Sequence, residues 1–240
     1  MHTPLVKLQA VRKSYTLGEV DVTALREVTL AIDAGEFVAL SGASGSGKTT
    51  LLNLIGCLDK PSAGTIQLAG LDVTTPSLPA LANIRSRKIG FIFQTFNLMP
   101  VLNAFENVEY PLLFAGLGRT QRQERVRQWL NHVGLENQAR RRPDQLSGGQ
   151  RQRVAIARAM ATKPDLVLAD EPTANLDSDT AGQILDLMSQ INRETGTTFL
   201  FATHDPKITD RASRQIHLHD GEIANDMILT ETPQRFANAH

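Results

Sequence analysis

The sequence predicts an α/β protein with a mixed sheet, an antiparallel β-subdomain at its N-terminus and a helical subdomain set between its strands. Three observations lead there. Continuous apolar runs of four or five residues (37–40, Ile89–Phe93, 166–169 and Thr198–Ala202) read as strands buried on both faces. Near the N-terminus Val6, Leu8 and Ala10, and again Val28, Leu30 and Ile32, alternate with polar residues, as antiparallel strands with one wet face do. From Asn97 to Met160 the apolar period becomes helical.

The chain is organised around Gly42-Ala43-Ser44-Gly45-Ser46-Gly47-Lys48-Thr49-Thr50, which comes after Phe37-Val38-Ala39-Leu40-Ser41 and leads into Leu51-Leu52-Asn53-Leu54-Ile55. A buried strand, a glycine turn and a helix start in that order form the phosphate-binding loop of nucleotide hydrolases. Its glycines let main chain approach a phosphate closely, and the N–H groups of the helix start point at the anion. Lys48 adds a full charge for the β- and γ-phosphates, and the Thr49 hydroxyl is placed for Mg²⁺.

Bulk composition narrows the classes. At 240 residues the chain holds one well-packed core, with room for a subdomain. Lys and Arg total 25 against 25 Asp and Glu, so no basic field argues for nucleic acid. A mean hydropathy of −0.19 and the lack of a long uncharged apolar run argue against a membrane span. Residues 1–7 lack the apolar stretch of a signal peptide, so a cytosolic location is expected. Cys57 is the only cysteine and reads as a packing residue.

The remaining elements come in order. Tyr15 ends the first strand in a polar stretch, where its ring either stacks on an adenine or closes a sheet edge. Pro61-Ser62-Ala63-Gly64 is a turn before a strand over 65–68, and a short helix covers 78–86. Gln94 closes the 89–93 run; an amide there reaches a metal or a water, or caps a loop. Asn103 with Glu106, and Thr120 with Gln123, fit capping boxes. Arg140-Arg141-Arg142 reads as a solvated turn.

Leu146-Ser147-Gly148-Gly149-Gln150 opens another helix with Ser147 and Gln150 as a capping box. Two successive glycines are costly in a helix turn, about 1 kcal/mol each, and a close approach by phosphate accounts for them. The run Leu166-Val167-Leu168-Ala169 ends in Asp170-Glu171, whose side chains should diverge and do different work. Asp170 suits a Mg²⁺ shell and Glu171 a water attacking the γ-phosphate. Asn175-Leu176-Asp177 precedes a helix over about 178–194. His204, after the last buried run, is either a loop histidine or faces the same crevice as Gln94 and Asp170. Asp220-Gly221 signals a hairpin, and the tail beyond Met227 reads as loose.

These residues, in this order, resemble the ATP-binding subunits of ABC transporters, over about Leu5 to Ile223. The family mark is Leu146-Ser147-Gly148-Gly149-Gln150 followed by Arg-Gln-Arg-Val-Ala-Ile-Ala-Arg-Ala. The resemblance implies a single domain with core about 1–94 and 162–227, a helical subdomain about 95–161 and a loose tail about 228–240. It implies ATP and Mg²⁺ as ligands, with Tyr15 and residues Ser41 to Thr50 on the nucleotide. Thr49, Gln94 and Asp170 are then the metal residues, and Glu171, His204 and Gln94 the catalytic ones. Ser147, Gly148, Gly149, Gln150 and Asp177 would reach the nucleotide of a second copy in an ATP-dependent homodimer. The segments 91–100, 106–108 and 111–113 are similar to the lipoprotein-releasing and macrolide-exporter subgroup. That subgroup implies transmembrane permease subunits as separate chains, and a cytoplasmic location, peripheral on the inner face of the cell membrane. The additional C-terminal domain of some importers is not expected. A rival class, a non-transport ABC ATPase of DNA repair or translation, fits less well, because the interval before the signature lacks sustained heptads and only one cassette is present. A phosphoryl-transferring kinase explains neither the signature nor His204.

Overall fold

The computed structural model describes residues 3–18 and 20–229. Its centre is a six-stranded mixed sheet in the order β10-β9-β3-β8-β7-β6. The strands are β3 (Phe37–Ser41), β6 (Ile89–Phe93), β7 (Leu166–Asp170), β8 (Thr198–Ala202), β9 (Arg214–His219) and β10 (Glu222–Ile228). All neighbours pair in parallel except β10 with β9. A second, antiparallel sheet in the order β2-β1-β4-β5 is built from β1 (Val6–Leu17), β2 (Val20–Ile32), β4 (Ala63–Leu68) and β5 (Leu71–Asp72).

The period of two explains why the buried runs are apolar throughout. Phe37, Ala39, Phe199 and Phe201 point into one core with the helices α3 (Ala104–Glu109), α4 (Arg119–His132), α5 (Gly148–Ala161) and α6 (Ser178–Thr195). Val38, Leu40, Leu200 and Ala202 point the other way, into a core shared with α1 (Lys48–Ile55) and the antiparallel sheet. Leu51, Leu52, Leu54 and Ile55 of α1 are buried there. The helix that starts at the glycine loop is thereby fixed between two sheets.

The structure extends or revises several local expectations. Strand β1 runs past Tyr15 to Leu17, and the helix α2 (Leu78–Lys88) runs two residues beyond Ser86 into β6. The Asn103–Glu106 capping box forms. The Thr120–Gln123 box does not: α4 starts at Arg119, and the Gly118 N–H donates to Gln121 Oε1 at 3.2 Å. The helix therefore starts two residues before a Thr120 cap would place it. Arg140, Arg141 and Arg142 are exposed, as a solvated turn requires. The Asp220–Gly221 turn has positive φ at both residues, 48° and 81°, which matches the twist of a two-residue hairpin. Its second strand is longer than expected: Ile228 pairs with Arg214, so the expected loose tail does not begin at 228. Residues 230–240 of that tail lie outside the described residues.

Candidate nucleotide site

Strand β3 lies inside the six-stranded sheet and delivers the glycine loop at its C-terminal end. Gly47 has φ 104°, and a Cβ there would stand 2.6 Å from the Ala24 carbonyl oxygen, so only glycine lets the loop close against β2. Gly42, at φ 153°, is as tightly fitted against the Leu218 carbonyl, at 2.3 Å. Helix α1 starts with no side-chain cap and no acidic residue in its first turn. Among the described residues Lys48 Nζ donates only to loop carbonyls, those of Gly42 at 2.7 Å and Ala43 at 2.9 Å. Positive charge and bare N–H groups thus converge at the loop, and among the described residues Lys48 makes no hydrogen bond to a carboxylate. Such a set fits a polyphosphate. Ser46 Oγ is buried just behind, with no hydrogen-bond partner among the described residues.

A crevice of about 710 Å³ opens on this loop. Its lining includes Gly42, Ala43, Ser44, Gly45, Gly47, Lys48, Thr49 and Thr50 on one side, with Gln94, Asp170, Glu171 and His204 on the other. Strands β6, β7 and β8 deliver those four because they are parallel, so their C-terminal ends share one edge. Thr49 Oγ1 donates to Asp170 Oδ2 at 3.3 Å. Burial pushes the Asp170 carboxyl above its ordinary value; the Thr49 hydrogen bond opposes this, the Glu171 charge adds to it, and Lys48 opposes it.

Glu171 leaves the strand with φ 45°, a left-handed conformation rare for a residue with a long side chain. Its N–H still donates to the Ala202 carbonyl at 2.9 Å. Asp170 and Glu171 thus both line the crevice but take different partners, Thr49 for the first and His204 for the second. Glu171 Oε1 lies 2.6 Å from His204 Nδ1, and Thr203 Oγ1 donates to Oε2 at 3.3 Å. The Gln94 carbonyl accepts from Asn175 Nδ2 at 2.9 Å.

Three expected nucleotide residues stand away from this lining. The Ser41 hydroxyl turns to β9, 3.1 Å from His217 Nδ1, and Ser46 is buried under the loop. Tyr15 is half-exposed on β1; its hydroxyl donates to Asp59 Oδ2 at 3.1 Å, and the Lys13 ammonium sits 4.8 Å from its ring centre. Ala24 of β2, by contrast, lines the crevice without having been expected. No motif marks it, because a small residue is all the position requires. Thr203 was also missed, although it sits beside His204 in the same loop.

The Ser147–Gln150 capping box forms, with Ser147 Oγ accepting from Gln150 N at 3.2 Å and Gln150 Oε1 from Ser147 N at 2.9 Å. It does not line the crevice of its own chain. The two glycines have a reason inside the chain that the sequence did not reveal. A Cβ on Gly149 would meet Thr180 Cγ2 at 2.5 Å, and one on Gly148 would meet Leu176 Cδ2 at 3.3 Å. They let α5 lie against the start of α6. Asp177 caps that helix, accepting from Thr180 N at 2.9 Å and Asp179 N at 3.2 Å. The hydrogen bonds from Thr180 hold its carboxyl below the ordinary range.

A family model described as ABC transporter matches residues 25–174. The chain belongs to that family. It is similar to the lipoprotein-releasing system ATP-binding protein LolD of Anaeromyxobacter dehalogenans (strain 2CP-C), 50% identical over 225 residues, covering 93% of this chain and 94% of the relative. It is also similar to the uncharacterized ABC transporter ATP-binding protein YknY of Bacillus subtilis (strain 168), 47% identical over 219 residues, 91% of this chain and 95% of that one. The macrolide export ATP-binding/permease protein MacB of Escherichia coli O157:H7 is 47% identical over 224 residues, 93% of this chain but 34% of the relative. The chain thus spans about a third of such two-part relatives. Among solved structures, a dimeric post-hydrolysis state of the ATP-binding cassette MJ0796 bound to ADP and Pi has a TM-score of 0.87 at 45% identity, covering 94% of this chain and 99% of that one. The expected family and subgroup resemblance are borne out. The chain is an ATP-binding cassette of the ABC transporter family, and an ATPase.

Proposed function

We propose that this cassette powers a separate membrane permease of the export or lipoprotein-release kind. The observation that carries the reading is the division of labour in one crevice. The Thr49–Asp170 contact stands beside the glycine loop, and the Glu171–His204 contact stands across from it. Thr49, Asp170 and Gln94 would hold Mg²⁺, which supplies charge neutralisation to the β- and γ-phosphates. Glu171 takes the proton of the attacking water, and His204 orients Glu171 and contacts the γ-phosphate side. Lys48 and the loop N–H groups bind the phosphates, and Tyr15 of β1 would offer its ring to the base.

Ser147 to Gln150 and Asp177 lie outside their own crevice and would complete that of a second copy. The MJ0796 cassette is described as dimeric, which supports a homodimer with nucleotide at its interface. The lobe of residues 95–161 carries Val101, Tyr110, Leu113 and Phe114 exposed, an apolar patch directly after Gln94 in the chain. Leu98 and Phe105 of the same lobe, by contrast, pack against the core. It is the proposed permease contact, beside a core of residues 1–94 and 162–227. Among the described residues no helix is long and apolar enough to cross a membrane. The permease would therefore hold the cassette on the cytoplasmic face, with no role for nucleic acid. Affinity purification from detergent-solubilised membranes tests this: an integral membrane subunit should co-purify, and recovery with ribosomes or DNA instead overturns it.

A further inference from the structure

The turn after Gln94 adopts a left-handed conformation that asparagine tolerates and phenylalanine disfavours. Phe96 and Asn97 both have positive φ, 62° and 46°, and neither is glycine. Beyond the turn's own bonds, from Phe96 N–H to the Phe93 carbonyl and between Thr95 and Asn97, the groups that hold them come from α5. Arg158 Nη2 donates to the Phe96 carbonyl at 2.8 Å and its Nη1 to the Asn97 carbonyl. Two turns earlier on the same helix, the Arg151 guanidinium lies 5.2 Å from the centre of the Phe96 ring. Arg158 is partly buried, and burial pushes its guanidinium down to about 10; among the described residues it pairs with no carboxylate. A cation kept from water without a counter-charge needs compensation from fixed dipoles, and the two turn carbonyls supply it. On its other side Gln94 is held through its carbonyl by Asn175. Strand β6 ends one residue before it, where Phe93 pairs with Asp170.

We infer that Arg158 is a positioning residue for Gln94. It locks the 95–97 turn, so that the Gln94 amide stays on the crevice wall beside Asp170. Helix α5 begins at Gly148 in the signature and carries Arg158 ten residues on, within one unbroken element. A movement imposed on the signature end by a second copy therefore reaches Gln94 of the same chain through this clamp. The inference rests on the reading of Gln94 as a group of the hydrolytic site.

A double-mutant cycle on the full chain tests it, with Mg²⁺-ATP hydrolysis as the readout. Gln94→Ala and Arg158→Met should each lower kcat about 10-fold, and the double variant should also lie about 10-fold down instead of about 100-fold, because the two act through one group. ADP binding to Arg158→Met should stay within about 2-fold, since the glycine loop is untouched and bound ADP reports a folded core. Hydrogen exchange of the 95–97 amides should speed up while the loop around Lys48 keeps its protection. If Arg158→Met does not fold, Arg158→Lys takes its place in the cycle. It should lose about 3-fold in kcat, and that loss should vanish in the Gln94→Ala background. Additive losses, or full activity of the Arg158 variants, overturn the positioning role. A silent Gln94→Ala overturns the reading of Gln94 itself and the inference with it.

Discussion

His204 Nδ1 lies 2.6 Å from Glu171 Oε1, joining the loop after β8 to the first residue past β7. With Thr203 on Oε2, both oxygens of the proposed base are engaged before any nucleotide arrives. Glu171→Gln keeps the shape and removes the base. It should still bind ATP yet lose about 10²–10⁴ in turnover, roughly 3–5 kcal/mol of barrier. Phosphate release at saturating Mg²⁺-ATP measures it, and near-normal turnover would falsify the assignment. Thr203→Val removes one hydrogen bond to the carboxylate and should lower kcat about 10-fold with KM unchanged.

The same variant should trap the dimer. With Glu171→Gln unable to hydrolyse, ATP should accumulate the two-copy form, visible as a concentration-dependent shift in light scattering. Ser147→Arg places a bulky cation at the exposed signature end and should abolish both the dimer and the activity. Its cost to the fold should be limited to the lost cap, about 1 kcal/mol. A monomeric Glu171→Gln chain at millimolar ATP, or an active Ser147→Arg, counts against the shared site.

Asp170 carries a stability cost that its proposed role explains. Its carboxyl titrates above the ordinary range because burial opposes the charge, with Glu171 adding repulsion. A raised folded-state pKa gives stability that is full below the unfolded value and is lost as pH rises through the folded value. At neutral pH the metal-free chain thus bears an ionised group it would hold more comfortably protonated. Asp170→Asn should raise the melting temperature of the metal-free protein at pH 7, on the order of a few °C. The gain should shrink at acid pH, while Mg²⁺-dependent hydrolysis is lost. A lower melting temperature for Asp170→Asn would show that the carboxylate stabilises the fold after all.

Gly149 tests whether the signature glycines serve packing. Alanine there places Cβ 2.5 Å from Thr180 Cγ2, so Gly149→Ala should destabilise by about 1–3 kcal/mol despite the better helix propensity of alanine. Adding Thr180→Ala removes the obstructing methyl and should recover most of the loss in urea unfolding. If the single variant is as stable as the parent, phosphate approach alone explains the glycine.

For the permease contact, Phe114 is the probe of choice: it is 64% exposed, and its ring meets that of Tyr110 edge-on at 5.5 Å. Phe114→Glu should leave isolated ATPase activity within about 2-fold while uncoupling it from the membrane subunit, since exposed substitutions are usually near neutral for stability. Phe96 is unsuited to this test because its ring and carbonyl belong to the clamp from α5. Normal assembly of Phe114→Glu with the permease would move the contact elsewhere.

Much of the crevice lining was legible in the sequence alone. Buried parallel strands are apolar without interruption, and the residues just past their C-terminal ends must be polar. The glycine loop and Asp170 with Glu171 could therefore be read as strand ends sharing one edge, while Gln94 and His204 each kept a second reading until the crevice brought them there. Helix starts such as Asn103 and Ser147 were legible for the same local reason, a cap three residues before its partner. How these pieces meet was set only by packing in three dimensions. The left-handed backbone at Glu171, the turn of Ser41 toward β9, the Ala24 wall and the grip of Arg158 on Phe96 and Asn97 join residues far apart in the chain. Gly149 is the plainest case: its need for glycine is set by Thr180, thirty-one residues later, through close packing of two helices. Periodicity records which face of an element is buried, and not which atom of another element will stand against it.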